Sequence, residues 1–270
     1  MSEYMSFATS RTTSAAFFDL DRTLISGSSA FTLAIQARKA GLISTWSFTK
    51  DAAGAIAFKL VGASDDTTDQ VRARILSAVE GMRRNDLVAL NAEILPRLIE
   101  RVRPEAKRLL DRHHAAGRDT YIVSAAPQEI VEPLAQALGM TGGIGTRSEL
   151  LDGVYTGDLN GPFCYGPGKV EAMAALAEWH HYDLSQCYAY SDSVSDLPML
   201  EAVGHPVAVN PDAGLERRAR RDGWPIVIFS ERTKSVIRRS LSGAATVAVG
   251  GVGFAAGTRY GSTRRRRRRF

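Results

Sequence analysis

Two acids, one residue apart, close a short apolar run: Ala15, Ala16, Phe17, Phe18, then Asp19, Leu20 and Asp21. Side chains alternate along a strand, so Asp19 and Asp21 are expected on one side of the chain. Like charges that close raise each other's pKa. Such a pair is kept where a cation lies between the two acids or where one of them must hold a proton. Farther along, Ser124 follows the apolar stretch Thr120 to Val123, Lys169 follows Gly-Pro-Gly, and Asp192 and Asp196 follow the stretch Cys187 to Tyr190. A lysine opening a helix faces the positive end of the helix dipole, which is unfavourable unless an anion is there too.

Together these residues describe phosphoryl transfer. Three carboxylates can hold a hard, octahedral cation such as Mg²⁺. Ser124 and the free N–H groups of the helix after it can cradle phosphate oxygens. Lys169 neutralises charge that would otherwise repel an attacking carboxylate. Asp19 then serves as nucleophile, giving an aspartyl-phosphate. Asp21 protonates the leaving alkoxide and later deprotonates the hydrolytic water. Ser124 and Asp196 could each equally cap the helix that follows, a role compatible with the first.

The elements that must position these groups alternate. Strands are expected at Ala15–Phe18, Thr120–Val123, Cys187–Tyr190, Pro206–Val209 and Pro225–Phe229, with helices at Glu105–Ala116, Pro127–Leu138, Lys169–Trp179 and Asp196–Val203. A hairpin is expected over Arg147–Leu159, turning at Asp152-Gly153. Strand–helix alternation implies an α/β fold, a doubly wound parallel sheet with helices on both faces. Ligands of such sheets bind at the carboxyl ends of the strands, where the site residues fall. Between the first two strands, helical spacing alone is read at Phe31–Ala40, Trp46–Leu60, Asp69–Gly81 and Asn85–Arg101, with Asn85 as a cap. The expected organisation is a leader at residues 1–14, a catalytic core at 15–26 and 104–232, an inserted helical cap at 27–103, and a basic tail at 233–270. The leader is Ser/Thr-rich, lacks the apolar core of a signal peptide and reads as disordered. Arg72, Arg74, Arg83 and Arg84 of the cap read as a solvated face, as do His113-His114 and His180-His181.

The order Asp19-Leu-Asp-Arg-Thr, Ser124, Lys169, Asp192-Ser-Val-Ser-Asp196 resembles the four motifs of the haloacid dehalogenase superfamily. The helical insert after the first motif, with the hairpin and Gly-Pro-Gly-Lys, is similar to its phosphoserine-phosphatase-like branch. That resemblance, over about residues 15–230, implies a Rossmann-like core and Mg²⁺ held by Asp19, the backbone carbonyl of Asp21 and Asp192. It further implies Asp196 orienting metal-bound water, and Ser124 and Lys169 holding the phosphate. Two departures stand out. Ser28 occupies the place of the glutamate that grips the substrate amine in phosphoserine phosphatases. Ser191, Ser193 and Ser195 replace Gly, Gly and Asn of the fourth motif.

The chain has 270 residues, 44% hydrophobic and 23% charged, which fits a globular protein of one sizeable domain with an insertion. Cys164 and Cys187 lack metal-like spacing and suggest no disulfide framework, so a reducing cytoplasm is the expected setting. From residue 231 on there are eleven Lys/Arg and one acid, net +10, against +5 for the whole chain, so residues 1–230 carry −5. The body is therefore mildly acidic, unlike a nucleic-acid surface. Residues 240–258 carry no charge but hold five glycines, and Arg264 to Arg269 follow. This segment suits shallow contact with an anionic membrane surface better than a clean span, a flexible Gly/Ala linker being the plainer alternative. The expected activity is Mg²⁺-dependent hydrolysis of a small-metabolite or lipid-precursor phosphomonoester. The alternatives are a phosphoserine phosphatase proper, a phosphotransferase, or a regulatory protein with a vestigial site that binds membrane or nucleic acid through its tail.

Overall fold

The computed structural model describes residues 13–42 and 65–229. The expected leader (apart from residues 13 and 14), the helix at Trp46–Leu60 and the basic tail lie outside them. The core is a six-stranded sheet in the order β3-β2-β1-β6-β7-β8, parallel throughout. These strands are β1 (Ala15–Phe18), β2 (Asp119–Pro127), β3 (Gly142–Thr146), β6 (Tyr188–Ser191), β7 (His205–Val209) and β8 (Ile226–Val227). The chain winds outward from β1 through β2 and β3, then returns to β6 on the other side. That reversal opens a crevice at the carboxyl ends of β1 and β6. All four residues of β1 are buried, as expected of a strand covered on both faces. Phe18 stacks on Tyr190 of β6 with centroids 4.5 Å apart, and Phe17 on Tyr121 of β2 at 5.8 Å.

Between β1 and β2 come α1 (Ser29–Lys39), α2 (Asp65–Ser77), α3 (Arg84–Ala89), α4 (Asn91–Ile99) and α5 (Pro104–Ala115). The expected single helix at Asn85–Arg101 is thus two, broken at Leu90, where Asn91 turns its amide to the Glu129 carbonyl at 2.7 Å. Its cap is Arg83, without a side-chain bond, rather than Asn85. Two linkers join these helices to the core side by side: Ser26 N–H donates to Arg101 O and Arg103 N–H to Leu24 O, both at 2.9 Å. The remaining helices are α6 (Gln128–Ala137), α7 (Pro167–His180), α8 (Leu197–Glu201) and α9 (Ala213–Asp222). The hairpin forms as β4 (Ser148–Leu151) and β5 (Val154–Leu159). Asp152 and Gly153 both have positive φ, the twist that a two-residue hairpin prefers. Its backbone is zipped to the helical insert: Gly81 N–H to Tyr155 O, Tyr155 N–H to Met82 O, and Arg84 N–H to Gly153 O.

Three expectations are corrected. Strand β3 was not anticipated. No element is expected from its Gly-Gly-Ile-Gly sequence, yet a Cβ on Gly143 would lie 2.7 Å from the Val131 carbonyl of α6, so close helix packing demands glycine there. Arg84 is no purely solvated arginine, since its Nε pairs with Glu129 of α6 at 3.2 Å. His113 is not on a solvated face either. With Ala106 and Leu110 it forms the buried face of α5, packed edge-on against Phe18, Tyr188 and Tyr190.

His113 Nε2 lies 2.8 Å from Tyr190 Oη, and burial, then Arg118 and His114, push its pKa from 6.5 down to about 4. A cationic group whose pKa falls on folding contributes fully above its unfolded value, and that contribution is lost as pH drops toward its folded one. The stability advantage of wild type over His113→Gln, from urea unfolding, should be constant above about pH 6.5 and shrink steadily from there to about pH 4. An unchanging difference across that window would mean that His113 is not held neutral.

Candidate active site

β1 stops at Phe18, but the Asp19 N–H still donates to Tyr190 O at 2.9 Å, so its Cα stays in line with the sheet. The chain then coils tightly, with Leu24 N–H bonded to Asp19 O (3.3 Å) and Ile25 N–H to Leu20 O (3.0 Å). The coil parts the two acids of the motif. Asp19 Oδ1 accepts from Lys169 Nζ at 2.7 Å. Asp21 turns to the N-terminus of α1, accepting from Ser29 N–H at 2.8 Å and from Ser28 Oγ at 3.4 Å. The expected shared side therefore does not form, because strand alternation ends with the strand. The like-charge coupling falls elsewhere. Burial raises the Asp19 pKa, Lys169 opposes, and the acids that push it further are Asp196 and Asp192. Asp21 is raised too, chiefly by burial.

Lys169 is the centre of the cluster. It is 2% exposed, and its ammonium also donates to Asp196 Oδ2 at 2.9 Å. Burial works against its charge, but Asp19 and then Asp196 outweigh that and leave its pKa raised. The lysine reaches this point because α7 begins in Gly-Pro-Gly. Pro167 opens the first turn, and a Cβ on Gly168 would meet the Phe163 carbonyl at 1.9 Å. Asp196 also accepts from Ser191 Oγ at 2.7 Å, so both its observed partners are in the site and it makes no cap bond to α8.

Ser124 is buried in β2, within a register slip between Val123 and Pro127 that lifts this stretch out of the ladder. Its Oγ accepts from Ala126 N–H at 3.2 Å, and α6 starts at Gln128 without a side-chain cap. Ser124 thus does not cap α6, and first-turn N–H groups stay open to an anion. Cys164 packs beside Lys169 and Ser124, its thiol pushed up to about 12 by burial and so protonated.

Two participants escaped the sequence reading. Arg22 Nε pairs with Asp192 Oδ2 at 2.9 Å. Asp212 braces the Asp192 loop three ways: its N–H donates to Asp192 O (2.7 Å), Oδ2 accepts from Val194 N–H (2.9 Å) and Oδ1 caps α9 at Leu215 N–H (2.8 Å). Arg22's pairing and Asp212's bonds to Asp192 and Val194 run across chain separations that no local pattern records.

Among the described residues no three His, Cys, Asp or Glu side chains converge to hold an ion. Asp21 makes its hydrogen bonds at the start of α1. The fit to a magnesium ion therefore rests on Asp19 and Asp192. Both are buried oxygen donors, and Asp192 is raised to about 7 by burial despite Arg22, with Asp196 and Asp212 adding to the rise. Two buried carboxylates whose pKa stays raised despite Lys169 and Arg22 suit a further hard cation that keeps waters for its other positions. The residues present fit the group.

A profile of haloacid dehalogenase-like hydrolases matches residues 16–201. A probable phosphatase of Mycobacterium tuberculosis is 40% identical over 255 residues, covering 92% of this chain and 88% of its own. A phosphoserine phosphatase of the same organism is 39% identical over 225 residues, 80% of this chain and 71% of that one. Among solved structures, a protein of unknown function from Bordetella pertussis aligns with a TM-score of 0.70 at 28% identity, covering 80% of this chain and 98% of that one.

Replacing Lys169 strands two buried acids. In Lys169→Met, urea unfolding in chelator at about pH 8 should show a loss of about 3 kcal/mol or more. Part of that should return by about pH 6, because the stranded acids then take up protons. A variant as stable as wild type at the higher pH would show that the ammonium does not hold this cluster.

Proposed function

The chain belongs to the haloacid dehalogenase-like hydrolase family, and on that premise we propose that it is a magnesium-dependent phosphatase acting through an aspartyl-phosphate on Asp19. The observation that carries this reading is the buried Asp19–Lys169–Asp196 cluster beside Asp192, at the carboxyl ends of β1 and β6. Asp19 attacks the phosphorus of a phosphomonoester while Lys169 offsets the charge between nucleophile and phosphoryl group. Ser124 and the open N–H groups of α6 receive phosphoryl oxygens. Asp21 gives its proton to the departing alkoxide, then takes one from the water that releases phosphate. The rise in its pKa favours the protonated form that the first of these steps requires. Asp19, Asp192 and the Asp21 carbonyl would hold Mg²⁺, with Asp196 as support. The ion supplies positive charge to the phosphoryl oxygens when bound.

The substrate in this reading is a small metabolite or lipid-precursor phosphate. On the insert side of Asp21 stand the Ser28 hydroxyl and the Ser29 N–H, with no carboxylate at that contact among the described residues to meet an ammonium. The tail is proposed to bring the enzyme to an anionic membrane surface by arginine attraction, worth about 1 kcal/mol per residue near lipid. Among the described residues no helix is long and apolar enough to cross a membrane, and the tail lies outside them.

The test of function is turnover over a panel of metabolite and lipid phosphates with Mg²⁺, wild type against Asp19→Asn. The variant should lose at least about a hundredfold in kcat, since a missing nucleophile costs orders of magnitude. Phosphoserine should not lead the panel, and a wide lead for it in kcat/KM would overturn the inference from Ser28. Chelator should abolish wild-type turnover. For the tail, co-sedimentation with anionic vesicles at low salt should be strong for the full chain, weak without residues 240–270, and reversed by salt. A full chain that stays in the supernatant at low salt ends the membrane proposal.

A further inference from the structure

Arg22 is an unlikely residue for its place. Its φ of 64° lies in the left-handed region, which few residues other than glycine adopt without cost. It sits in the coil just after Asp21, its N–H bonded to Gly27 O at 3.1 Å. From there its guanidinium reaches Asp192, buried at 7% side-chain exposure, while its own side chain stays 54% exposed. Lys169 is fully engaged with Asp19 and Asp196. Among the described residues Arg22 is therefore the one cation within ion-pair distance of Asp192.

We propose that Arg22 is a resident counter-ion that competes with the metal for Asp192 and so sets the enzyme's magnesium affinity. This rests on the reading of Asp192 as a metal ligand. In the metal-free protein a carboxylate this buried needs a positive partner, and Arg22 supplies it. A divalent ion on the same carboxylate cannot share Oδ2 at 2.9 Å with a guanidinium without strong repulsion between the two cations. An ion on either oxygen of Asp192 would be repelled by the guanidinium, so binding weakens or displaces the Arg22 pair. Its half-exposed side chain can retreat to water at small cost, which a buried arginine could not do. The left-handed turn directs the side chain at Asp192, which gives the backbone strain a purpose.

The experiment is calorimetric titration of Mg²⁺ into the chelator-stripped full chain, without substrate, for wild type, Arg22→Gln, Arg22→Lys and Asp192→Asn. Arg22→Gln should bind Mg²⁺ about tenfold more tightly, the scale of one screened charge removed from the neighbourhood of a divalent ion. The same variant should melt lower than wild type in chelator and gain more in Tm on adding Mg²⁺. Arg22→Lys, which keeps the charge, should stay within about twofold of wild type. Asp192→Asn should lose binding. Unchanged or weaker affinity in Arg22→Gln, with wild type binding normally, overturns this inference alone. If wild type itself binds no Mg²⁺, the metal reading of the site falls and this inference falls with it.

Discussion

The site depends on one buried ammonium. Lys169 Nζ lies 2.7 Å from Asp19 and 2.9 Å from Asp196, and these three residues come from three separate parts of the chain. Burying three charges together earns little net stability, because the desolvation of each ion offsets most of the attraction. A well-packed apolar trio would hold the strands at least as firmly. What the ammonium does is orient the Asp19 carboxylate and oppose, without cancelling, the push toward protonation from burial, Asp196 and Asp192. Much of the local structure serves that placement. Glycine at 168 lets α7 start against the Phe163 carbonyl, and Ser191 Oγ donates to the same Asp196 oxygen that Lys169 holds. Asp212 ties down the loop that carries Asp192 and leads to Asp196.

Where a rule of local geometry governed, the sequence was enough. Strand ends in a parallel sheet gather ligand-binding residues, so Asp19, Asp192 and Asp196 could be placed together from the strand–helix rhythm alone. The hairpin turn was legible because Asp152-Gly153 is a turn pair with a stereochemical reason. Strand β3 was hidden because the contact that makes it possible, α6 lying on Gly143, removes the β-branched residues by which strands are recognised. The divergence of Asp19 and Asp21 was hidden for another reason. Alternation is a property of extended chain, and the coil from Asp19 to Ile25 begins one residue after β1 ends. His113 could have been found, since it continues the inward spacing of Ala106 and Leu110, but its polarity argued for solvent. Arg22's pairing with Asp192 and Asp212's bonds to the Asp192 loop left no local trace; only Asp212's capping of Leu215 N–H is local.

The helical insert is fastened at three places within the described residues: the paired linkers, the hairpin, and α6 through Asn91 and Arg84. The last is notable because α6 also offers its first-turn N–H groups beside Ser124. Glu129, which pairs with Arg84, and the Glu129 carbonyl, which accepts from Asn91, both sit in that first turn. The element on the phosphate side of the crevice is thus the one that α3 and α4 are docked on. Any movement of these two helices as a unit has to break those bonds or carry the α6 terminus along.

The two acids of the first motif consequently answer to different parts of the protein. Among the described residues Asp19, the proposed nucleophile, is held by the core, through Lys169 and the sheet. Asp21 is held by Ser29 N–H and Ser28 Oγ, which belong to the insert's first helix and its cap residue. A nucleophile must be fixed before substrate arrives, since preorganisation is what makes its charge effective. A general acid must instead meet the leaving oxygen, whose position varies with the substrate. Attaching that acid to the element that borders the substrate side lets one rigid core serve leaving groups of different shape. In the proposed mechanism the motif's two-residue spacing divides control of attack and departure, through a coil that starts where the strand stops.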